Sequence, residues 1–388
     1  MASEPTPQQQ NPSPTTLDFY LHQALTTFSP VHTSDPCTLF SLPSSPSPSA
    51  IPLNPTGPNT LLLYPGSFNP PHAGHLTTIL YFYEHRRDFG IRCLFVFADP
   101  EMVVGKRREK KYNVFLMGQE VRYKLFAHHP SLTPLLATGF LKLLTGSMTS
   151  HIAFLRHLTD LIKSSSSLSS PSIPATLTGF LGGDKLSIHS SPHQKPGELI
   201  EWGPVDEFLI MNARRPVDFY NPWEAGLEKE EKAQDPNPIS VEELNIDIAI
   251  NNHSPSSENP PSNLPNCTPW QRGPLDSESI NKERRIGQLW SCKALTVPGE
   301  PVIWFRGSER SASNGISSTG IRRIMCEVWD RDVLLEELSG LVVCPEILVE
   351  WVVGERGRLG MGIGGGEVVE KGEEGEGGGQ IEGEKAVL

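Results

Sequence analysis

Residues 66–75 read GSFNPPHAGH, placing His72 and His75 around Gly74 directly after the apolar run LLLYP at 61–65. Two glycines, two prolines and an Asn within ten residues dictate a tight, non-repetitive turn. His and Gly are poor core fillers, so the stretch has the makings of a ligand site. The chemistry that suits it is anion binding. A helix beginning near His75 would offer orphan N–H groups and the positive end of its dipole to a phosphate. Gly66 and Gly74 would let the backbone come close to that ligand, while the two imidazoles add donors to the same pocket. Taken alone, H-x-G-H is equally consistent with a loop whose histidines are simply exposed.

A second cluster shifts that balance. Residues 316–323 read ISSTGIRR, in which Ser317, Ser318 and Thr319 cap a helix whose first turn carries Arg322. Hydroxyls, N–H groups and a guanidinium fork on one helix end again describe a polyphosphate site. Each cluster sits where a strand is expected to give way to a helix, and their joint occurrence in one chain is hard to ascribe to chance.

The elements that must position these clusters follow from periodicity. LLLYP (61–65), IRCLFVFAD (91–99), TLTGFLGGD (176–184), VDEFLIMNARR (205–215) and LWSCKALTV (289–297) read as strands. HLTTILYFYEHRR (75–87), NVFLMGQEVRYKLFAHH (113–129) and SHIAFLRHLTDLIK (150–163) read as helices, and two more lie within GIRRIMCEV and DVLLEELSG, before PEILVEWVV. Strands alternating with helices predict an α/β fold, a Rossmann-like, doubly wound parallel sheet. In such sheets ligands bind beyond the carboxyl ends of the strands, which is where GSFNPPHAGH would sit.

Composition bounds the domain. The 388 residues carry a net charge of −12, with 36 Pro and 34 Gly unevenly spread. Residues 1–58 are rich in Pro, Ser, Thr and Gln, apart from a possible helix over 16–28 against the outside of the sheet. The stretch 222–286 and the Gly/Glu-rich tail 354–388 have compositions that bury too little apolar surface to order themselves. The folded unit expected is therefore 59–353, interrupted by the insert at 222–286. The tail from Gly354 holds eight Glu against four Lys or Arg, a third of the net charge, so solvated disorder accounts for the acidity without a nucleic-acid partner. No apolar run reaches the roughly 18 residues that a membrane span needs. The first basic residue is Arg86, which leaves neither a secretory nor a mitochondrial leader and points to a cytoplasmic or nuclear protein. Six cysteines (37, 93, 267, 292, 326 and 344) show no paired spacing and read as reduced thiols.

His72-Ala73-Gly74-His75 matches the signature of the H-x-G-H nucleotidyltransferase superfamily. GSFNPPHAGH together with ISSTGIRR resembles, within it, the nicotinamide/nicotinate mononucleotide adenylyltransferases. GGDKL (182–186), EWGPVDEFLIMNARRP (201–216) and VVCPEILVEWV (342–352) add looser matches, and the resemblance spans about 61–220 and 287–353. It implies the nucleotidyltransferase fold, with ATP and a pyridine mononucleotide as substrates and Mg²⁺ bridging the ATP phosphates. His72, His75 and Arg322 would be catalytic. Gly66, Ser67, Phe68, Gly74, Gly183, Ser317, Ser318 and Thr319 would line the ATP site, and Asp184 would sit near a ribose or a metal-bound water, an ordinary helix cap being the alternative. Within KRREKK (106–111), Lys106 would cover the nucleotides, a solvated loop or a nuclear import signal being the other readings. The family's Trp after the helix matching 113–129 is absent here. Trp202 is then the candidate for stacking the pyridine ring, with Phe140 or Phe154 contributing. Two other functions fit the same clusters: transfer to a different phosphate acceptor, and ATP binding or hydrolysis in protein quality control.

Overall fold

The computed structural model describes residues 16–28, 37–42, 49–100, 115–147, 150–164, 172–182, 186, 205–211, 219–220, 260–273, 279, 281–282, 286–295, 297, 299–306 and 316–361. Its centre is a nine-stranded sheet. The strands are β1 (Thr38–Phe40), β2 (Thr60–Gly66), β3 (Ile91–Ala98), β4 (Leu141–Thr145), β5 (Thr176–Gly182), β6 (Glu207–Met211), β7 (Gln271–Arg272), β8 (Leu289–Lys293) and β9 (Val302–Arg306). They lie in the order β1-β4-β3-β2-β5-β6-β9-β8-β7. The six from β4 to β9 run parallel, and β1, β8 and β7 pair antiparallel at the two edges. The parallel strands expected at 61–65, 91–99, 176–184 and 205–215 are all present, with ends that shift by one to a few residues. The stretch at 289–297 is a strand only to Lys293, and it runs antiparallel.

Helices among the described residues cover both faces. α1 (Leu17–Thr27) and α5 (Ser150–Ser164) pack on one side, where Leu61, Leu63, Phe95 and Phe97 point. On the other side lie α2 (Ala73–Glu84), α3 (Gln119–His128), α4 (Thr133–Ala137), α6 (Ser318–Glu327), α7 (Arg331–Leu338) and α8 (Pro345–Arg358), over Leu62, Leu94 and Val96. Alternate residues of β2 and β3 thus feed two cores, which is why both read as unbroken apolar runs. From β2 the chain moves outward through β3 to β4, then returns to the opposite side of β2 at β5. That reversal opens a crevice at the carboxyl end of β2, and GSFNPPHAGH leaves the sheet at that point.

Three expected boundaries change. The N-terminal segment contributes more than one helix: Asp18 of α1 pairs with Lys142 Nζ at 3.1 Å and accepts the N–H of Ile51 at 2.8 Å. β1 then closes the sheet edge, and Cys37, Ile51 and Leu53 are buried. Within the insert, Leu264 and Trp270 are buried, Trp270 against Phe219 and Phe305, and β7 adds a strand. At the other end, α8 continues past Gly354 to Arg358. Arg356 is buried there, donating to the carbonyls of Met325 in α6 (2.5 Å) and of Val328 just after it (2.6 Å) and lying over the Trp329 ring at 4.6 Å. A composition window starting at Gly354 hides this last helical turn among the glycines that follow.

The helix expected over 113–129 also starts late, at Gln119. Asn69 explains the delay, because its amide donates to the Phe115 carbonyl and accepts the Met117 N–H, both at 3.2 Å. Those backbone groups are held extended by the loop and are lost to the helix. Among the described residues, no helix is long and apolar enough to cross a membrane.

Candidate functional site

The turn after β2 is built from below. Phe68 takes a left-handed backbone conformation (φ 44°) although it is not glycine, a strain of about 1–3 kcal/mol that persists only where the surroundings enforce it. Its ring is buried and meets Tyr64, His75 and Phe126 edge-on at 4.8–5.3 Å between centroids. The Phe68 ring thus supports His75 from the core. Gly66 serves the same packing, since a Cβ there would lie 3.0 Å from the tip of the Phe68 ring. The room that this glycine leaves is taken by the Phe68 ring.

His72 and His75 stack with centroids 3.7 Å apart and planes at 29°. Each ring caps the start of α2. The Gly74 N–H donates to His72 Nδ1 at 3.1 Å, and the His72 N–H donates to His75 Nδ1 at 3.2 Å. A nitrogen that accepts an N–H carries no proton, so both rings hold theirs on Nε2 and present it as a donor. The N–H groups of α2 are otherwise taken: Ala73 donates to the Leu341 carbonyl at 2.9 Å, and His75 and Leu76 to that of His72. The free first-turn amides expected at this helix are thus already bonded.

The second cluster comes to the same place. Arg322 Nη1 donates to the Asn69 carbonyl at 2.5 Å, and its Nη2 reaches Thr319 Oγ1 at 3.1 Å. The Ser318 hydroxyl lies 3.5 Å from the Pro70 carbonyl, and Ser317 caps α6 by accepting the Gly320 N–H at 3.0 Å. The N–H groups of Ser318 and Thr319 have no partner among the described residues. The structure therefore brings His72, His75, Gly74, Ser67, Ser317, Ser318, Thr319 and Arg322 around one turn, with Arg322 tying the two clusters together. Lys106, Gly183, Asp184 and Trp202 lie outside the described residues. Phe140 and Phe154 are not at this crevice. Phe140 precedes β4, at the amino ends of the parallel strands, and packs on Tyr83, whereas Phe154 lies in the core of the opposite face beside Phe28.

Residues that the sequence reading passed over complete the scaffold. Arg122 of α3 is fully buried and donates to the carbonyls of Ser67 (2.5 Å) and Asp99 (2.6 Å), so it fixes the turn to the end of β3. In sequence it looks like one more charge on an amphipathic helix. A strap at 341–343, between α7 and α8, bridges His72 to Val342 and donates the Val343 N–H to the Pro71 carbonyl at 3.2 Å. Nothing local to LVV signals that role.

Compared with known protein families and with curated proteins, the chain matches no family model and no curated sequence.

Proposed function

We propose that the chain is a nicotinamide- or nicotinate-nucleotide adenylyltransferase, joining ATP to the pyridine mononucleotide with release of pyrophosphate. The observation that carries this reading is the meeting of the two clusters at the strand-order reversal, where Arg322 of ISSTGIRR bonds Asn69 inside GSFNPPHAGH. An oxygen of the mononucleotide 5′-phosphate attacks the α-phosphorus of ATP. As that P–O bond forms, the bond to the β-phosphate oxygen breaks and pyrophosphate leaves with the electron pair. No covalent enzyme intermediate or proton transfer is needed, so catalysis consists of alignment and charge stabilisation.

The residues present suit that chemistry. The Nε2–H donors of His72 and His75 face charge developing around the α-phosphorus. The Ser318 and Thr319 N–H groups and the positive end of α6 receive the leaving pyrophosphate. Arg322 holds the two donor sets in register. Among the described residues no three His, Cys, Asp or Glu side chains converge as a metal cage, and the donors here are nitrogens. Mg²⁺ bound with ATP would supply charge neutralisation on the leaving group. Trp202 is assigned to stack the pyridine ring and Lys106 to cover the phosphates.

The test uses ATP labelled at either end, with each candidate acceptor. Label from the α-phosphate should appear in a dinucleotide, and label from the γ-phosphate in pyrophosphate. Release of γ-label as inorganic phosphate without a dinucleotide would overturn the proposal in favour of ATP hydrolysis.

A further inference from the structure

Gln119, Arg122 and Tyr123 share one face of the first turn of α3. That face meets the carboxyl ends of the neighbouring strands β4, β3 and β2. Gln119 Nε2 donates to the Ala98 carbonyl at 2.6 Å. The Tyr123 hydroxyl accepts the Ala98 N–H at 2.9 Å and donates to the Leu144 carbonyl. Arg122 lies between them, with Nη1 on the Ser67 carbonyl at 2.5 Å and Nη2 on that of Asp99 at 2.6 Å. Both Arg122 and Tyr123 are fully buried. Ser67 immediately precedes Phe68, the residue in the left-handed conformation (φ 44°) whose ring stands edge-on to His75 at 4.8 Å. The carbonyl that Arg122 holds therefore belongs to the peptide unit on which the Phe68 φ turns.

We propose that Arg122 is a positioning residue for His75, acting through the Ser67–Phe68 peptide and the Phe68 ring. The planar fork, with one arm on β2 and the other on β3, pins the peptide plane to the end of the sheet. The pinned plane keeps Phe68 in a conformation that a non-glycine residue otherwise leaves. The ring in turn holds His75 where its Nδ1 accepts the His72 N–H at 3.2 Å, so the proton stays on Nε2. Loss of the fork lets Phe68 relax, and the His75 ring then turns away from its cap and samples both tautomers. The chemical consequence, a misdirected Nε2 donor, rests on the adenylyl transfer proposed above. The relay from Arg122 to the His75 ring does not.

The experiment reads the imidazole nitrogens of the full-length chain by ¹⁵N NMR at about pH 8, where imidazoles are neutral, with His75→Asn identifying the His75 signals. In the wild-type chain His75 should show a single tautomer with its proton on Nε2, and Arg122 should show separate, slowly exchanging Nη protons. Arg122→Lys keeps the charge but cannot hold two carbonyls in one plane, while Phe68→Leu removes the ring and leaves Arg122 in place. Either folded variant should divide His75 between tautomers and leave His151, stacked on Phe97 in the opposite core, unmoved. Each should also lower kcat for dinucleotide formation by about 10–100-fold, with KM for Mg-ATP changed by about threefold or less. Overturning results are a wild-type His75 already divided between tautomers, Arg122 Nη protons averaged by exchange, folded variants with wild-type His75 signals, or an unchanged kcat in such variants. The wild-type spectra decide the relay even where neither variant folds. A chain that makes no dinucleotide but shows the relay overturns the proposed function and not the placement of His75.

Discussion

Replacing Arg322 with Ala should loosen the turn at 69–75 as well as the chemistry. Its Nη1 is the charged donor to the Asn69 carbonyl, at 2.5 Å, and its Nη2 reaches Thr319 Oγ1. A hydrogen bond from a charged group contributes about 1.5–3 kcal/mol. Arg322 is only half-buried, so water can reach the vacated carbonyl and the lower end applies, about 1.5 kcal/mol. At roughly 2–4 °C per kcal/mol for a domain of this size, Tm should fall by about 3–6 °C. Arg322→Lys keeps the charge but, lacking the fork, cannot hold both partners, and should recover about half of that loss or less. The assay is thermal unfolding together with amide hydrogen exchange over 69–76. Faster exchange at Ala73–Leu76 should accompany the Tm change, because the strap and the caps share this turn. An Arg322→Ala protein with wild-type Tm and unchanged exchange would refute the clamp.

Three further outcomes follow from the packing. Truncation after Met361 should leave Tm nearly unchanged, whereas truncation after Val353 removes buried Arg356 and should lower Tm clearly, by about 2–4 °C for each kcal/mol lost. Gly66→Ala sets a Cβ against the Phe68 ring at 3.0 Å and should destabilise by about 1–3 kcal/mol, measured by denaturant unfolding; Phe68→Leu in the same chain should relieve part of it. Burial alone would raise the Asp206 pKa, but the Leu177 N–H at 2.9 Å and Arg156 at 2.5 Å outweigh it and hold the carboxyl below its ordinary value. That contribution is present at neutral pH and is lost as pH falls through the lowered pKa. Asp206→Asn should therefore destabilise by about 1–3 kcal/mol at pH 7 and converge with wild type as pH falls through the lowered pKa.

What can be read from the sequence is whatever is written in local pattern. LLLYP and IRCLFVFAD are buried on both faces and read as strands from apolar runs alone. Ser317 declares a helix start by its type, and His72 by its place in a turn rich in Gly and Pro. Contacts between distant segments leave no such mark. The late start of α3 depends on Asn69, nearly fifty residues away, bonding the Phe115 carbonyl and the Met117 N–H. Arg122 reads as a surface charge until the turn folds over it. The strand at 302–306 escapes notice for a different reason: VIWFR, after the Gly299-Glu300-Pro301 turn, is apolar enough to be seen but is overshadowed by the longer run at 289–297. Arg356 is hidden because composition averages across a boundary that the helix crosses.

The central claim, that the distal nitrogens of the histidine pair serve adenylyl transfer, is tested most directly by His75→Asn. The Asn side-chain oxygen can occupy the place of Nδ1 and keep accepting the His72 N–H, so the cap survives while the Nε2–H donor is lost. The measurement is kcat for dinucleotide formation from Mg-ATP and nicotinamide mononucleotide, taken beside Tm on the same preparation. The account predicts a fall in kcat of about 10²–10³-fold, the scale of one preorganised donor, with Tm within about 1–2 °C of wild type. An unchanged kcat in a folded His75→Asn protein would contradict it.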